Sequence, residues 1–372
     1  SSAPLMVFVG ELLGRQLAPS PKWATLPLTA LILGTALSTI PAAMLMRRVG
    51  RKRGSYVGYY FALAGSLLAM QAALSASFGL FLLGAFLLGV NLAFAQQFRF
   101  AALESLADPA DFPTAFSVMM LGGIVSAYIG PEIGLIGKDL IASPHGYAGS
   151  FLLLSGLILL SMIVFLGFRE PVAKSPKGSS PARALSEITR NPLFLIAILA
   201  SGVSFGVMSL IMTATPLNMN ELCGFDLSVT KRFIQGHIAA MFLPSLFGGW
   251  LVRRIGVGGV LLGGAVFYGI TIAIGLAGQT LLHFWGTLVL LGLGWNLLFM
   301  GGTALLPQAY HFSERFKAQA FNDFAVFGLQ AIASLGAGWF LFEFGWSVLV
   351  LTCLPATIAA AGAAIWLIRK GE

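Results

Sequence analysis

Apolar and polar positions along this chain fall into long blocks. A window of about 19 residues finds twelve apolar blocks, near 1–17, 23–46, 54–75, 79–103, 113–136, 147–168, 192–217, 230–252, 257–277, 281–306, 316–341 and 345–368, split by short polar or Gly/Pro-containing breaks. Every block but the first is long enough to cross about 30 Å of hydrocarbon as a helix. The pattern predicts an all-α, polytopic membrane protein of twelve transmembrane helices.

Composition agrees. Of 372 residues, 57% are apolar and 10% charged, with a mean hydropathy of +0.88, against roughly 25% charged in soluble proteins. So little charge cannot wrap the apolar surface in a polar shell, and lipid must serve as solvent. The net charge of +8 then ceases to suggest nucleic acid, because Lys and Arg collect in the cytoplasmic loops of membrane proteins. If the last block ends inside with Arg369 and Lys370, alternation places sixteen of the 22 basic residues on the cytoplasmic side. Among these are the five in "AMLMRRVGRKRG" (43–54): Arg47, Arg48, Arg51, Lys52 and Arg53. Both termini are therefore expected in the cytoplasm.

The longest polar stretch, "REPVAKSPKGSSPARALSEITRN" (169–191), is rich in Pro and Ser and divides the blocks six and six. It reads as a cytoplasmic linker between an N-terminal bundle, 1–168, and a C-terminal bundle, 192–372. The two halves echo each other. "AMLMRRVG" (43–50) recurs as "GWLVRRIG" (249–256) and "GVNLAF" (89–94) as "GWNLLF" (294–299), at offsets of 206 and 205 residues; Ala115-Phe116 and Ala320-Phe321 repeat the second offset. Two six-helix halves related by duplication, with a site at their interface, are one arrangement of secondary transporters. The same offset predicts a first helix truncated at its N-terminus by about 15 residues.

These features resemble the major facilitator superfamily, and the resemblance covers all twelve blocks. The family's signature between its second and third helices is Gly, three residues, Asp, a basic residue, any residue, then Gly-Arg-Arg/Lys. Arg48, Gly50, Arg51 and Lys52 fit it, whereas Ala43 replaces the first Gly and Arg47 the Asp. That Asp belongs to a latch onto the eleventh helix, so the resemblance assigns gating to Arg47, Arg48, Gly50 and Arg51 and to their repeat-mates Arg253, Arg254 and Gly256. Asp323, near the start of the eleventh helix, is the candidate partner of Arg47 or Arg48 in the outward-open state; the alternative is a solvated Arg47 and an Asp323 bonded within its own half. "GGIVSAYIGPEIG" (122–134) resembles the glycine-proline motif of the superfamily's antiporters, although close helix packing selects the same residues. "FIQGHIAAMFLPSLFGGWL" (233–251), "ATPLNMNELCG" (214–224) and "QAFNDFAVFGLQAIASLGAG" (319–338) resemble a bacterial branch that includes riboflavin transporters. The resemblance implies the bacterial inner membrane.

Polar side chains inside the spans are costly in lipid and usually face a cavity or a partner. Glu11 and Arg15, four apart, are positioned to pair along the first helix, or Glu11 carries a proton. Asn91, Gln97 and Arg99, interleaved with Phe94 and Phe98, lie on the inner half of the fourth helix; Arg99 either snorkels or meets a ligand. Trp295 and Asn296 on the tenth helix are repeat-mates of this group, and Asn91 and Asn296 are expected to face each other. With Asn322, these residues form a candidate site for a flat, polar organic solute such as a flavin. His237, Glu132 and Glu11 are the candidates for proton coupling.

No enzyme is expected: the four histidines lack metal spacing, there is no phosphate-binding glycine loop, and no nucleophile stands beside a base. No cofactor or metal is expected, and the partners are a small-molecule substrate and the lipid bilayer, with the protein a monomer. The reading is a proton-coupled secondary transporter working by alternating access. The alternatives are a proton-driven exporter of drugs or metabolites and a non-transporting membrane receptor or assembly factor on the same fold.

Overall fold

In a computed structural model of the chain, residues 2–20, 23–98, 112–169 and 183–371 are described. Among them, all regular structure is helical. Besides a single turn at Leu185–Ile188, twelve longer helices follow in order among the described residues: α1 Ser2–Leu17, α2 Leu26–Val49, α3 Arg51–Ser75, α4 Phe78–Gln96, α5 Phe112–Ile136, α6 Ala148–Phe165, α7 Pro192–Leu217, α8 Leu227–Phe242, α9 Gly248–Ala277, α10 Leu281–Leu305, α11 Arg315–Leu351 and α12 Leu354–Lys370. They trace twelve passes, because without water a spanning segment must satisfy its backbone within itself. Leu37, Val118, Ile163 and Ile332 stand exposed on the outside of the bundle, the surface that lipid covers.

Several breaks have local causes. Gly50 has φ 87° and ψ 161°, and Gly256, inside α9, has φ 71° and ψ 170°. This is a conformation open to glycine and strained for other residues. Both follow a pair of arginines, so the repeat seen in sequence is a repeat of backbone geometry. Gly256 marks the end of the eighth pass, which runs through α8, a 3-10 stretch at Leu243–Phe247 begun by Pro244, and the first turns of α9. Toward the C-terminus the expected block at 345–368 begins at a break in the helical backbone. Gly345 kinks α11, which then continues to Leu351, and α12 starts only at Leu354. Pro355 has no N–H to give a preceding turn, and the Thr352 hydroxyl donates back to the Leu349 carbonyl at 2.6 Å.

In the first half, α2, α3 and α4 pack closely, and in the second α9 packs on α10 and α7 on α10 and α11. The α2–α4 crossing is set by two glycines. A Cβ on Gly89 would collide with the Leu31 carbonyl, and one on Gly34 with that of Phe86, so small residues allow backbone-to-backbone approach. The halves meet along two seams, α2 against α11 and α5 against α8.

Of the expected linker, residues 170–182 lie outside the described residues. Its last part is tied to the C-terminal half. Arg183 donates through its backbone N–H, Nε and Nη2 to the Glu314 carboxylate at 2.7–2.8 Å, Asn191 Nδ2 donates to the Ala309 carbonyl at 3.3 Å, and Lys317 Nζ donates to the Arg183 carbonyl. The Arg183 guanidinium, with backbone N–H donors from His311 and Arg183, holds the Glu314 carboxyl down at about 2. A lowered folded-state value stabilises the contact above the carboxyl's ordinary range and is lost as pH falls through it.

Two outcomes follow from this packing. Gly89→Ala should lower the melting temperature of the purified protein by several degrees, since overpacking costs about 1–3 kcal/mol, whereas Gly122→Ala, which meets open space, should leave it unchanged. Limited proteolysis should cut Glu314→Gln faster than wild type in the 183–191 region at neutral pH. The wild-type rate should stay flat down to about pH 5 and rise between there and about pH 2.

Candidate functional site

A cavity of about 310 Å³ lies between the two bundles. From the first half it is lined by Pro4 and Val7 of α1, Leu31 and Thr35 of α2, Leu92 and Gln96 of α4, and Ser126 of α5. From the second half come Phe205, Met208, Ser209, Met212 and Thr213 of α7, His237 and Phe242 of α8, Trp295 and Phe299 of α10, and Phe327 and Gln330 of α11. Phe205 is the hub of the aromatic wall, with Trp295, Phe299 and Phe327 rings 5.1–5.2 Å from its own, each nearly perpendicular. Trp295 also meets Phe242 at 5.9 Å. Such edge-to-face contacts fix ring orientation as well as burying area.

The sequence expectations divide here. Trp295 lines the cavity. On α4 the lining positions are Leu92 and Gln96, one turn apart, and not the expected Asn91, Phe94, Gln97 and Phe98. Phe94 packs in the first half with Ala42, Met46 and Val90, and Phe98 stacks toward Phe165 at 5.5 Å. Gln97 is buried, and its backbone carbonyl accepts from Arg51 Nη1 at 3.2 Å. Arg99 lies outside the described residues. Asn296 does not face Asn91, because its Nδ2 is engaged within its own half by the Met241 carbonyl at 2.6 Å and by the Ser245 hydroxyl. Asn322 donates to the Asp323 carboxylate at 3.0 Å. A repeat-mate inherits backbone position, but its side chain answers to its own neighbours. Nothing in the sequence pattern marks Phe205, Phe242, Phe299, Phe327 and Gln330 as lining residues. Among 30 Phe residues only packing distinguishes the few that meet.

His237 is buried, with Nδ1 2.7 Å from the Leu288 carbonyl. Glu11 does not pair with Arg15, which corrects that expectation. Arg15 Nε instead bonds Glu221 Oε1 at 2.8 Å. The two are 206 residues apart, the offset of the internal repeat, so equivalent positions of the two halves meet across the seam. Glu11 is fully buried with neither carboxyl oxygen hydrogen-bonded. It follows Pro4 and Val7 on one face of α1, between the cavity and the Arg15–Glu221 pair. Glu132 bonds Lys231 Nζ at 2.9 Å and Gln235 Nε2 at 3.1 Å, again across the seam. The Thr29 and Ser334 hydroxyls lie 3.1 Å apart, joining α2 to α11. All three contacts lie at the end of the bundle opposite the arginine-rich turns.

At the arginine-rich end, Arg47, Arg48, Arg253 and Arg254 are exposed, and no ion pair joins Arg47 or Arg48 to Asp323, which is buried. Arg254 lies over the Trp250 ring at 5.6 Å. The buried member of the cluster is Arg51, which reaches across to α11 with its guanidinium over the Phe316 ring at 5.7 Å. In α5, a Cβ at Gly123 would press on the Phe242 ring, so that glycine is occupied in helix packing.

The sequence pattern of the Major Facilitator Superfamily is matched over residues 1–246. The chain is 37% identical to the riboflavin transporter RfnT of Brucella anthropi over 95% of its own length and 89% of that protein's. It is 27% identical to the MFS-type transporter YdeG of Bacillus subtilis, covering 96% and 87%. Among solved structures, its fold matches the Escherichia coli fucose:proton symporter FucP with a TM-score of 0.64 at 18% identity, over 98% of this chain and 93% of that one.

Because Phe205 organises the wall, Phe205→Ala should weaken ligand binding at the cavity by about tenfold. Titration of purified protein would measure this, with a far smaller effect expected for Phe168→Ala, remote from the cavity.

Proposed function

This chain belongs to the major facilitator superfamily, a family of membrane transporters and not of enzymes, and from that premise we propose that its solute is riboflavin or a closely similar flavin. The observation that carries the reading is the aromatic-walled cavity between the bundles, in a chain 37% identical to a riboflavin transporter. Flat rings stack on Phe205, Trp295 and Phe299, while Gln96, Ser209, Thr213 and Gln330 hold the polar part.

The mechanism is alternating access, in which the two bundles rock about the fixed cavity. The protein acts as a monomer in the bacterial inner membrane, with its arginine-rich end and both termini in the cytoplasm. The Arg15–Glu221, Glu132–Lys231 and Thr29–Ser334 contacts then form the outer gate. When that gate opens, the arginine-rich end closes, with Arg51 against Phe316 and with Arg47 or Arg48 brought to Asp323. Gly50 and Gly256 are the turns about which these segments move. Coupling is to protons. Glu11 is the carrier best supported, since its carboxyl is buried without a hydrogen-bond partner between cavity and outer gate. Glu132 is engaged in the gate, and His237 is held against Leu288. Asn91, Phe94, Gln97, Phe98, Asn296 and Asn322 act behind the lining residues by fixing the helices that carry them.

Proteoliposomes with an inward-directed pH gradient should accumulate labelled riboflavin. Glu11→Gln should abolish gradient-driven accumulation while leaving riboflavin counterflow intact. Absence of riboflavin movement in either direction by wild-type protein overturns the reading.

A further inference from the structure

Two buried polar atoms of residues that line the cavity have no partner among the described residues. On α8, His237 is 1% exposed, and its Nδ1 is 2.7 Å from the Leu288 carbonyl of α10. A carbonyl oxygen only accepts, so Nδ1 carries the ring proton of the neutral imidazole. Nε2 is then a lone-pair acceptor, and no protein group donates to it. On α10, Trp295 is 4% exposed, and its ring is clasped by Phe205, Phe242 and Phe299, while its indole Nε1–H has no acceptor. Both residues line the same cavity. Asn296, which does not line the cavity, donates through Nδ2 to the Met241 carbonyl and the Ser245 hydroxyl, while its Oδ1 is likewise without a partner among the described residues. Buried polar atoms are almost always partnered, so an acceptor and a donor left over in one cavity wall describe the ligand's own hydrogen-bonding edge.

We propose that His237 and Trp295 read the imide edge of the flavin ring system: His237 Nε2 accepts the ring N3–H, and Trp295 Nε1 donates to a carbonyl beside it. This rests on the riboflavin reading above and deepens it. An imide places an N–H between two carbonyls in the plane of a flat ring, which matches one acceptor and one donor set in an otherwise aromatic wall. The ribityl hydroxyls offer the same bonds, but the wall around Trp295 is made of Phe205, Phe242 and Phe299, which suits a ring and not a polyol. Hydroxyl-bearing positions for the chain lie elsewhere in the cavity, at Thr35, Ser126, Ser209 and Thr213.

The test is a set of binding titrations on purified full-length protein with riboflavin and N3-methylriboflavin, using flavin fluorescence. Wild type should bind riboflavin at least tenfold more tightly than the N3-methyl analogue. His237→Phe keeps a ring of similar size but has no acceptor, and should bind the two equally, at the weaker level. Trp295→Phe, which keeps the aromatic face and loses the donor, should weaken both ligands by a similar factor and preserve their ratio. Equal binding of both flavins by wild type overturns the proposal, as does discrimination that persists in His237→Phe, because that residual preference is steric. Should His237→Phe fail to fold, the wild-type ratio and the Trp295→Phe titrations still decide. Failure of wild type to bind riboflavin at all overturns the riboflavin reading as well, so the two failures are distinct.

Discussion

The constraint on which this structure depends is the absence of water from the layer that its helices cross. A backbone N–H or C=O left open in hydrocarbon costs several kcal/mol, so the chain is driven into helices that close their own hydrogen bonds. Outward-facing side chains need only be apolar, as Leu37, Ile163 and Ile332 are. Helix association cannot draw on the hydrophobic effect, since lipid is as apolar as leucine, and depends on close approach and polar contacts. Gly34 and Gly89 supply the approach at the α2–α4 crossing. Tyr268 supplies a polar contact, donating to the Ser204 carbonyl at 2.6 Å.

The same constraint gives meaning to what remains unsatisfied. In a soluble protein an unpartnered imidazole nitrogen or indole N–H can find water. Here the open positions at His237 and Trp295 lie in the cavity between the bundles, and that at Glu11 lies beside it. The seam is also where ion pairs form. Arg15–Glu221 and Glu132–Lys231 each take one partner from each half. Exposed pairs of this kind are worth little individually.

Much of the architecture was legible in one dimension. Twelve apolar blocks and the repeat of Arg-Arg-x-Gly at 47–50 and 253–256 are properties of period, length and order, and lipid leaves few other ways for such a pattern to fold. The positive φ shared by Gly50 and Gly256 follows from that repeat. Site residues were less legible. Asn91 and Gln97 carry the right chemistry, yet Leu92 and Gln96 line the cavity, because a helical step of about 100° separates neighbours and the sequence does not fix the rotation of a helix that is apolar nearly all round.

Sequence by itself determined the fold class, the number and limits of most spans, and the membership of a transporter family, since these depend on local periodicity and on long-range similarity between chains. Only tertiary structure decided which of many aromatic rings meet at Phe205, that Arg15 turns from Glu11 to Glu221, and that His237 and Trp295 share a cavity. Those choices depend on distances between residues tens to hundreds of positions apart. They are set by how two bundles pack against each other, for which the spacing along a single helix carries no signal.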